Sequence, residues 1–486
     1  EMTSSLVGSE MCIRDSILIL LIGFCGTQFS SAKITLPAIL GDNMVLQQNS
    51  KANLWGMAQK STKVSITTSW NNKEYSVISS SSGEWLVQVE TPVGGGPYAI
   101  HITDGEEIKL SNILIGEVWL CSGQSNMGMR IKGNPGEPVE HALEELMEAN
   151  PANNIRIANI KINGSVSPLF DCTTEWKECT PGSVADFSAA AYFFARYIQK
   201  ALNVPVGIIC SAWGGSKIEP WIKKEVFEQE FPGISLDVLK KNYSEIEHPR
   251  SEPTLIYNAM IHPIRNYTIK GALWYQGEAN REAPDLYKRL FPAMVKSWRE
   301  EWKQGDFPFY YAQIAPHCYG AKRCDETEAA ELRQVQTECL DIIPNSGMVV
   351  TADIGQASCI HPPKKKEVGQ RFALWALSKA YGIEDIPCSG PIFKSFIVKD
   401  KEIIIDFYYS ESGLNSKDQQ IAGFEIAGAD NVFYPADAKL VEKKTKISVS
   451  SEKVLNPAKV RYAFKNFQPV DLFNNYGLPA SPFKAD

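Results

Sequence analysis

The sequence predicts an α/β domain flanked on both sides by all-β modules, and three observations carry that reading. Between about Ile113 and Ser389, strand-like apolar runs alternate with amphipathic helices, which calls for a parallel sheet with βαβ crossovers. Before and after that stretch, short runs of period-two alternation are separated by turn residues, the pattern of small β-sandwich-like modules. The third is size: at 486 residues the chain exceeds one ordinary domain, so two or three are expected.

The elements follow in order. Residues 1–32 read as a leader. The apolar run Ile17 to Phe24 is too short to span a bilayer, and Ser30-Ser31-Ala32 suits signal-peptidase cleavage. Glu1 to Ser16 lacks a basic n-region and resembles translated sequencing-adapter sequence, so it is read as a non-native start. A signal peptide implies export to the periplasm or outside the cell, with no membrane attachment once it is removed. Residues 33–111 form the first β module, with strands at Ala52–Gly56, Val64–Thr68, Glu84–Val89 and Tyr98–Ile102. Asn71-Asn72 and Gly94-Gly95-Gly96 are its turns.

Residues 112–387 form the α/β domain. One helix starts at Asp186, its N-cap, and lays Ala190, Phe194, Tyr197 and Ala201 along one face. A second runs from about Asp285 to Trp302. A third starts near Glu367 and spaces Val368, Phe372, Trp375 and Ala376 helically. Residues 388–486 return to β texture at Phe393–Val398, Glu402–Tyr408, Ile421–Ile426 and Val460–Phe464. This second module is expected to pack against the first.

Composition excludes some functions. A net charge of −7 with no Lys/Arg-rich stripe argues against nucleic acid as a partner. Lys364-Lys365-Lys366 is the nearest basic cluster, and it reads as the solvated first turn of a helix. Of eleven cysteines, Cys12 and Cys25 leave with the leader, and the odd number remaining leaves at least one free thiol. Cys172/Cys179 and Cys318/Cys324 are close enough for local bridges; buried free thiols are an equal alternative. No spacing suggests zinc.

In open parallel sheets ligands bind beyond the carboxyl ends of the strands, where polar residues converge. Five strand candidates end that way. Val118–Cys121 leads to Gly123-Gln124-Ser125, and Val206–Cys210 to Ser211-Ala212-Trp213-Gly214-Gly215-Ser216. Gly271–Tyr275 leads to Gln276-Gly277-Glu278, Phe309–Gln313 to Pro316-His317, and Gly347–Val350 to Ala352-Asp353. Alone, Ser125 would read as a helix N-cap and Gly214-Gly215 as a tight turn. Together they supply an exposed hydroxyl beside free N–H groups, the needs of a nucleophile and an oxyanion hole. Gln276 offers a further donor, with a buried structural amide as its competitor. Among six histidines, His361 is the candidate base, because Pro362-Pro363 stiffen a loop that returns to the strand ends. His317 comes second, with a substrate-contacting or structural role. Trp213, Tyr275 and Arg333 are candidate substrate contacts, although such residues also pack cores.

Gly116-Glu117-Val118-Trp119-Leu120-Cys121-Ser122-Gly123-Gln124-Ser125-Asn126-Met127 resembles the sialate O-acetylesterase family of the SGNH-hydrolase superfamily. So do Ser211 to Trp221, Trp274-Tyr275-Gln276-Gly277-Glu278-Ala279-Asn280, and Ile360-His361-Pro362 followed by Val368-Gly369-Gln370-Arg371. The resemblance implies a flavodoxin-like three-layer core and hydrolysis of O-acetyl esters on sugars, with no metal or organic cofactor. It implies that Ser125 attacks the acetyl carbonyl, that His361 takes its proton, and that Ser125 N–H, Gly214, Gly215 and Gln276 hold the oxyanion. One departure stands out. Many SGNH enzymes carry an aspartate two or three residues before the histidine, where this chain has Cys359 and Ser358. A Ser-His dyad, its imidazole held by a backbone carbonyl, is therefore expected; Asp353 and Glu278 are the alternative third acids.

Two rival classes stay open. An α/β-hydrolase needs G-x-S-x-G, and Met127 occupies the second glycine's place. A carbohydrate-binding protein with an inactive hydrolase-like domain fits the flanking modules. Within the esterase reading, acetylated xylan or another polysaccharide is the alternative to O-acetyl sialic acid.

Overall fold

The computed structural model describes residues 33–416 and 421–486; the predicted leader, residues 1–32, lies outside the described residues. Six parallel strands form the central sheet, with the short strand Trp176–Glu178 antiparallel at its edge. The six are β1 (Glu107–Gly123), β2 (Ile155–Asn159), β3 (Val206–Ala212), β4 (Gly271–Tyr275), β5 (Phe309–Ala312) and β6 (Ser346–Val349), in the order β2-β3-β1-β4-β5-β6. All five strands expected from the apolar runs are present. The sixth, β2, is short and ends in polar Asn159, so its sequence carries little strand signal.

These strands are apolar almost throughout because both faces are covered. On β1, Trp119 and Cys121 turn to one core, and Val118 and Leu120 to the other. The first core is closed by helices α2 (Ala189–Leu202) and α5 (Lys365–Trp375), through Phe194, Val368 and Phe372. The second is closed by α3 (Pro284–Trp302) and α4 (Glu328–Ile342), through Leu290, Trp298 and Leu332. Burying side chains such as Phe194 or Leu332 is worth about 1.5–3 kcal/mol each. The N-cap of α2 is Ser188, whose hydroxyl accepts from Ala191 N–H at 3.2 Å, rather than Asp186; the chain is still turning at Asp186, which ends the short helix Pro181–Ala185.

The amino-terminal half of β1 belongs to another sheet. It pairs antiparallel with Gly95–Thr103 and parallel with Val45–Gln47, so one continuous strand enters the central sheet from the amino-terminal β layer. Ser50–Met57 and Glu84–Thr91 form a second layer there. The carboxyl-terminal strands build three small sheets around their own core of Ile403, Ile405, Val460 and Phe483. Contrary to expectation, they dock on the central domain. Gln313 Nε2 donates to Ser481 Oγ at 3.1 Å, and Ala329 N–H to Asn466 Oδ1 at 2.8 Å. Cys318 and Cys324 are bonded, whereas Cys172 and Cys179 are free and buried. Among the described residues, no helix is long and apolar enough to cross a membrane.

Candidate active site

Strand β1 lies at the point where the chain changes direction across the sheet, with β3 on one side and β4 on the other; crevices open at such points. Gly123 ends it. At φ +139°, a Cβ here would stand 2.2 Å from Tyr275 O, so only glycine lets the two strand ends approach. Gln124 N–H then donates to Tyr275 O, its Oε1 accepts from Gly277 N–H, and Trp213 N–H donates to Gly123 O. Three strand ends are thereby tied around Ser125, the first residue of the one-turn helix α1 (Ser125–Gly128).

Ser125 Oγ lies 2.8 Å from His361 Nε2. His361 Nδ1 lies 2.8 Å from Glu137 Oε1. Burial acts on Glu137 to raise its pKa, but hydrogen bonds from Asn134 and His361 outweigh it and hold the carboxyl below its ordinary value. An ionised carboxylate only accepts, so His361 Nδ1 carries a proton and Nε2 is free to accept from Ser125. The expected dyad is therefore corrected: a carboxylate, not a backbone carbonyl, holds Nδ1. Glu137 closes the turn Asn134-Pro135-Gly136-Glu137, bridged by Asn134 N–H to Glu137 O and by the reverse bond, while Asn134 Nδ2 holds Glu137 Oε2 at 2.9 Å.

Neither alternative acid reaches the imidazole's Nδ1. Asp353 is committed to a bidentate pair with buried Arg371, at 2.7 and 2.8 Å. Glu278 is buried, desolvation raises its pKa, and its Oε1 accepts from Asn126 Nδ2 at 2.6 Å. The amide of Gln276 is also corrected as an oxyanion donor. It is fully buried, and both Nε2 protons are spent, on Ser216 O at 3.1 Å and Asn280 Oδ1 at 2.7 Å. Gln276 thus holds the glycine turn from beneath. The turn itself abuts the serine, since a Cβ on Gly214 would lie 3.5 Å from Ser125 Cβ. Among the described residues, the N–H groups of Gly214 and Gly215 donate to no protein acceptor.

The four sugar-contact candidates divide by burial. Trp213 and His317 are half-buried and reachable. Arg333 is 1% exposed, donates to Lys465 O, and is drawn down to about 10 by desolvation; Tyr275 is wholly buried. Both are walled off from solvent, so contact with a sugar is not open to them.

Two residues beneath the site have positioning roles that the sequence reading did not give them. Asn126 Nδ2 donates to Ile360 O at 3.1 Å, and Lys365 Nζ to Pro362 O at 2.8 Å, so the residue on each side of His361 is held. Lys365 also donates to Asn126 Oδ1 at 2.7 Å. It is fully buried, correcting the reading of Lys364 to Lys366 as a solvated turn, and burial pushes it down to about 7 against the opposing pull of Glu278.

Serine, imidazole and carboxylate in one hydrogen-bonded line, beside free backbone N–H groups, define a serine hydrolase acting by acyl transfer. The family model for carbohydrate esterase, sialic acid-specific acetylesterase, matches residues 115–378. Sialate O-acetylesterase of Homo sapiens is 28% identical over 427 residues, covering 80% of this chain and 79% of that protein. The Mus musculus sialate O-acetylesterase is 27% identical over 508 residues, covering 91% and 92%. The crystal structure of a carbohydrate acetylesterase from Xanthomonas citri matches with a TM-score of 0.83 and 32% identity, covering 93% of this chain and 99% of that one. The chain belongs to this family of sialic acid-specific carbohydrate esterases, and its reaction is the O-deacetylation of carbohydrate.

Proposed function

We propose that the protein removes O-acetyl groups from sialic acid through an acetyl-Ser125 intermediate. The observation that carries the mechanism is the pair of 2.8 Å contacts joining Ser125 Oγ, His361 and Glu137. As Oγ attacks the acetyl carbonyl, its proton passes to His361 Nε2, and Glu137 stabilises the imidazolium through Nδ1–H. The Ser125 and Gly214 N–H groups receive the oxyanion, each donor worth about 3–4 kcal/mol of barrier. His361 returns the proton to the sugar oxygen, which leaves. Water, deprotonated by the same Nε2, then attacks the acyl carbon and releases acetate and free Ser125.

Supporting the SGNH-type, flavodoxin-like core is the order β3-β1-β4-β5-β6, with β2 appended at one edge and helices on both faces. The units at residues 33–111, 112–387 and 388–486 are read as β-sandwich-like module, catalytic domain and β module. Export of the mature chain is supported by the Cys318–Cys324 bond, which belongs in an oxidising compartment. The sialate reading draws on the names of its mammalian relatives. Acetate release is the test, from 9-O-acetyl-N-acetylneuraminic acid and from acetylated xylo-oligosaccharides, with wild type and Ser125→Ala. Equal rates for the two proteins would end the serine mechanism. A higher kcat/KM on the xylo-oligosaccharides would end the sialate assignment.

A further inference from the structure

The glycine turn touches the nucleophile on one side and a cation on the other. A Cβ on Gly215, whose φ is +69°, would lie 3.3 Å from Arg250 Nη1, 3.4 Å from Cζ and 3.6 Å from Nε. Near-equal distances to three guanidinium atoms mean that the planar group lies across the bare backbone of Gly215, one residue from the glycine that abuts Ser125. The arginine's backbone is tied to the same turn, because Lys217 N–H donates to Arg250 O at 3.0 Å. Arg250 and Lys217 are both exposed. Among the described residues neither side chain is paired with a carboxylate: Glu219 accepts from Asn280, and Glu252 forms no ion pair with either. Most other arginines of the central domain are occupied, Arg371 by Asp353, Arg299 by Asp306 and Arg281 by Glu282. An unpaired, exposed guanidinium lying against a catalytic turn suits a planar carboxylate.

We propose that Arg250, assisted by Lys217, binds the carboxylate of an acidic O-acetylated sugar while its acetyl group lies on Ser125. This rests on the sialate reading above and assigns the residue that would select for it. A neutral xylo-oligosaccharide has no group for this cation, so the contact favours acidic substrates. Arg250 takes no part in the chemical step, and its loss should raise KM while leaving kcat nearly intact.

The test compares wild type, Arg250→Gln and Lys217→Gln on 9-O-acetyl-N-acetylneuraminic acid, its methyl ester, and 4-nitrophenyl acetate. For Arg250→Gln, kcat/KM on the acid should fall about 10- to 100-fold, the scale of one charge-assisted hydrogen bond, through KM. Lys217→Gln should fall less. Both variants should match wild type on 4-nitrophenyl acetate, and wild type should discriminate against the methyl ester by a similar factor. A wild type that prefers the acid but loses nothing in Arg250→Gln would overturn the assignment and leave the sialate reading standing. A wild type indifferent to the methyl ester would overturn the carboxylate contact altogether. Equal losses on acid and 4-nitrophenyl acetate would show Arg250 acting on the catalytic turn, and would also overturn the proposal.

Discussion

Glu137 Oε1 stands 2.8 Å from His361 Nδ1, although the two residues are joined by no motif and are 224 positions apart. The carboxylate fixes the tautomer that leaves Nε2 facing Ser125 and stabilises the positive charge when the imidazole is protonated. In Glu137→Gln an amide replaces that acceptor, so the favoured tautomer and the charge stabilisation are both weakened. We expect kcat to fall about 10²- to 10⁴-fold with KM little changed, the upper end matching loss of a triad carboxylate. Steady-state kinetics on an acetyl ester reads this directly, and near-wild-type kcat would remove Glu137 from the mechanism.

Asp353→Asn is the complementary variant. It should keep most of the activity, because Asp353 points to Arg371 and not to His361. Its effect should fall on stability, since a buried guanidinium loses half of a bidentate partner, at a cost of about 3 kcal/mol. Urea denaturation measures the cost. A large loss of kcat with unchanged stability would reverse the assignment.

Lys365→Met tests how the base is held. Methionine fills the volume and removes the bonds to Pro362 O and Asn126 Oδ1, so the loop carrying His361 loosens. A misplacement on the order of 1 Å costs about 10²-fold, and kcat should drop by roughly 10- to 100-fold. Stability should move the other way at neutral pH, because a desolvated amine is removed. The sign with pH follows from a folded pKa of about 7 against the lysine's ordinary 10.5. Between those values the unfolded chain binds the extra proton, so wild-type stability relative to Lys365→Met should rise across that window and level off above it. Parallel urea titrations at pH 7 and pH 10 check this; a fall in that difference would sink it.

What the sequence made legible was whatever is written locally. Apolar runs ending in Gly123-Gln124-Ser125 and Trp213-Gly214-Gly215 announce strand ends, and a parallel sheet forces such ends together. His361 followed by two prolines announces a rigid loop. Glu137 carries no such mark, since a glutamate closing an Asn-Pro-Gly turn is an ordinary surface feature until the turn is folded against the imidazole. Gln276 misled for the opposite reason. Its place after β4 suits an oxyanion donor, and only the positions of Ser216 O and Asn280 Oδ1 show both its protons already engaged. Lys365 looked solvated because lysines usually are; three buried oxygen-bearing neighbours reverse that.

Gly123→Ala should separate backbone geometry from side-chain chemistry. The added methyl group meets Tyr275 O at 2.2 Å in a backbone conformation that alanine resists, so the ends of β1 and β4 must part. Ser125 moves with them. Activity should fall at least about 100-fold and the thermal midpoint should drop, although every catalytic side chain is still present. Wild-type kinetics in this variant would show that the strand-end approach does not set the nucleophile's position.

The Cys318–Cys324 bond gives the last prediction. It closes a short loop whose backbone meets the segment leading to His361: Cys318 N–H donates to Ala357 O at 3.2 Å, and His317 Nδ1 lies 3.2 Å from Gln356 O. The bond restricts only a small loop of the unfolded chain, so Cys318→Ser/Cys324→Ser should cost about 2 kcal/mol. Loosening the 356–357 stretch should also slow the reaction, but by less than about tenfold, because Asn126 and Lys365 still grip the residues on either side of His361. Thermal melting and kcat for the double variant, with and without reductant, read both effects. Loss of activity as deep as in Lys365→Met would place the main hold on the imidazole in this loop instead.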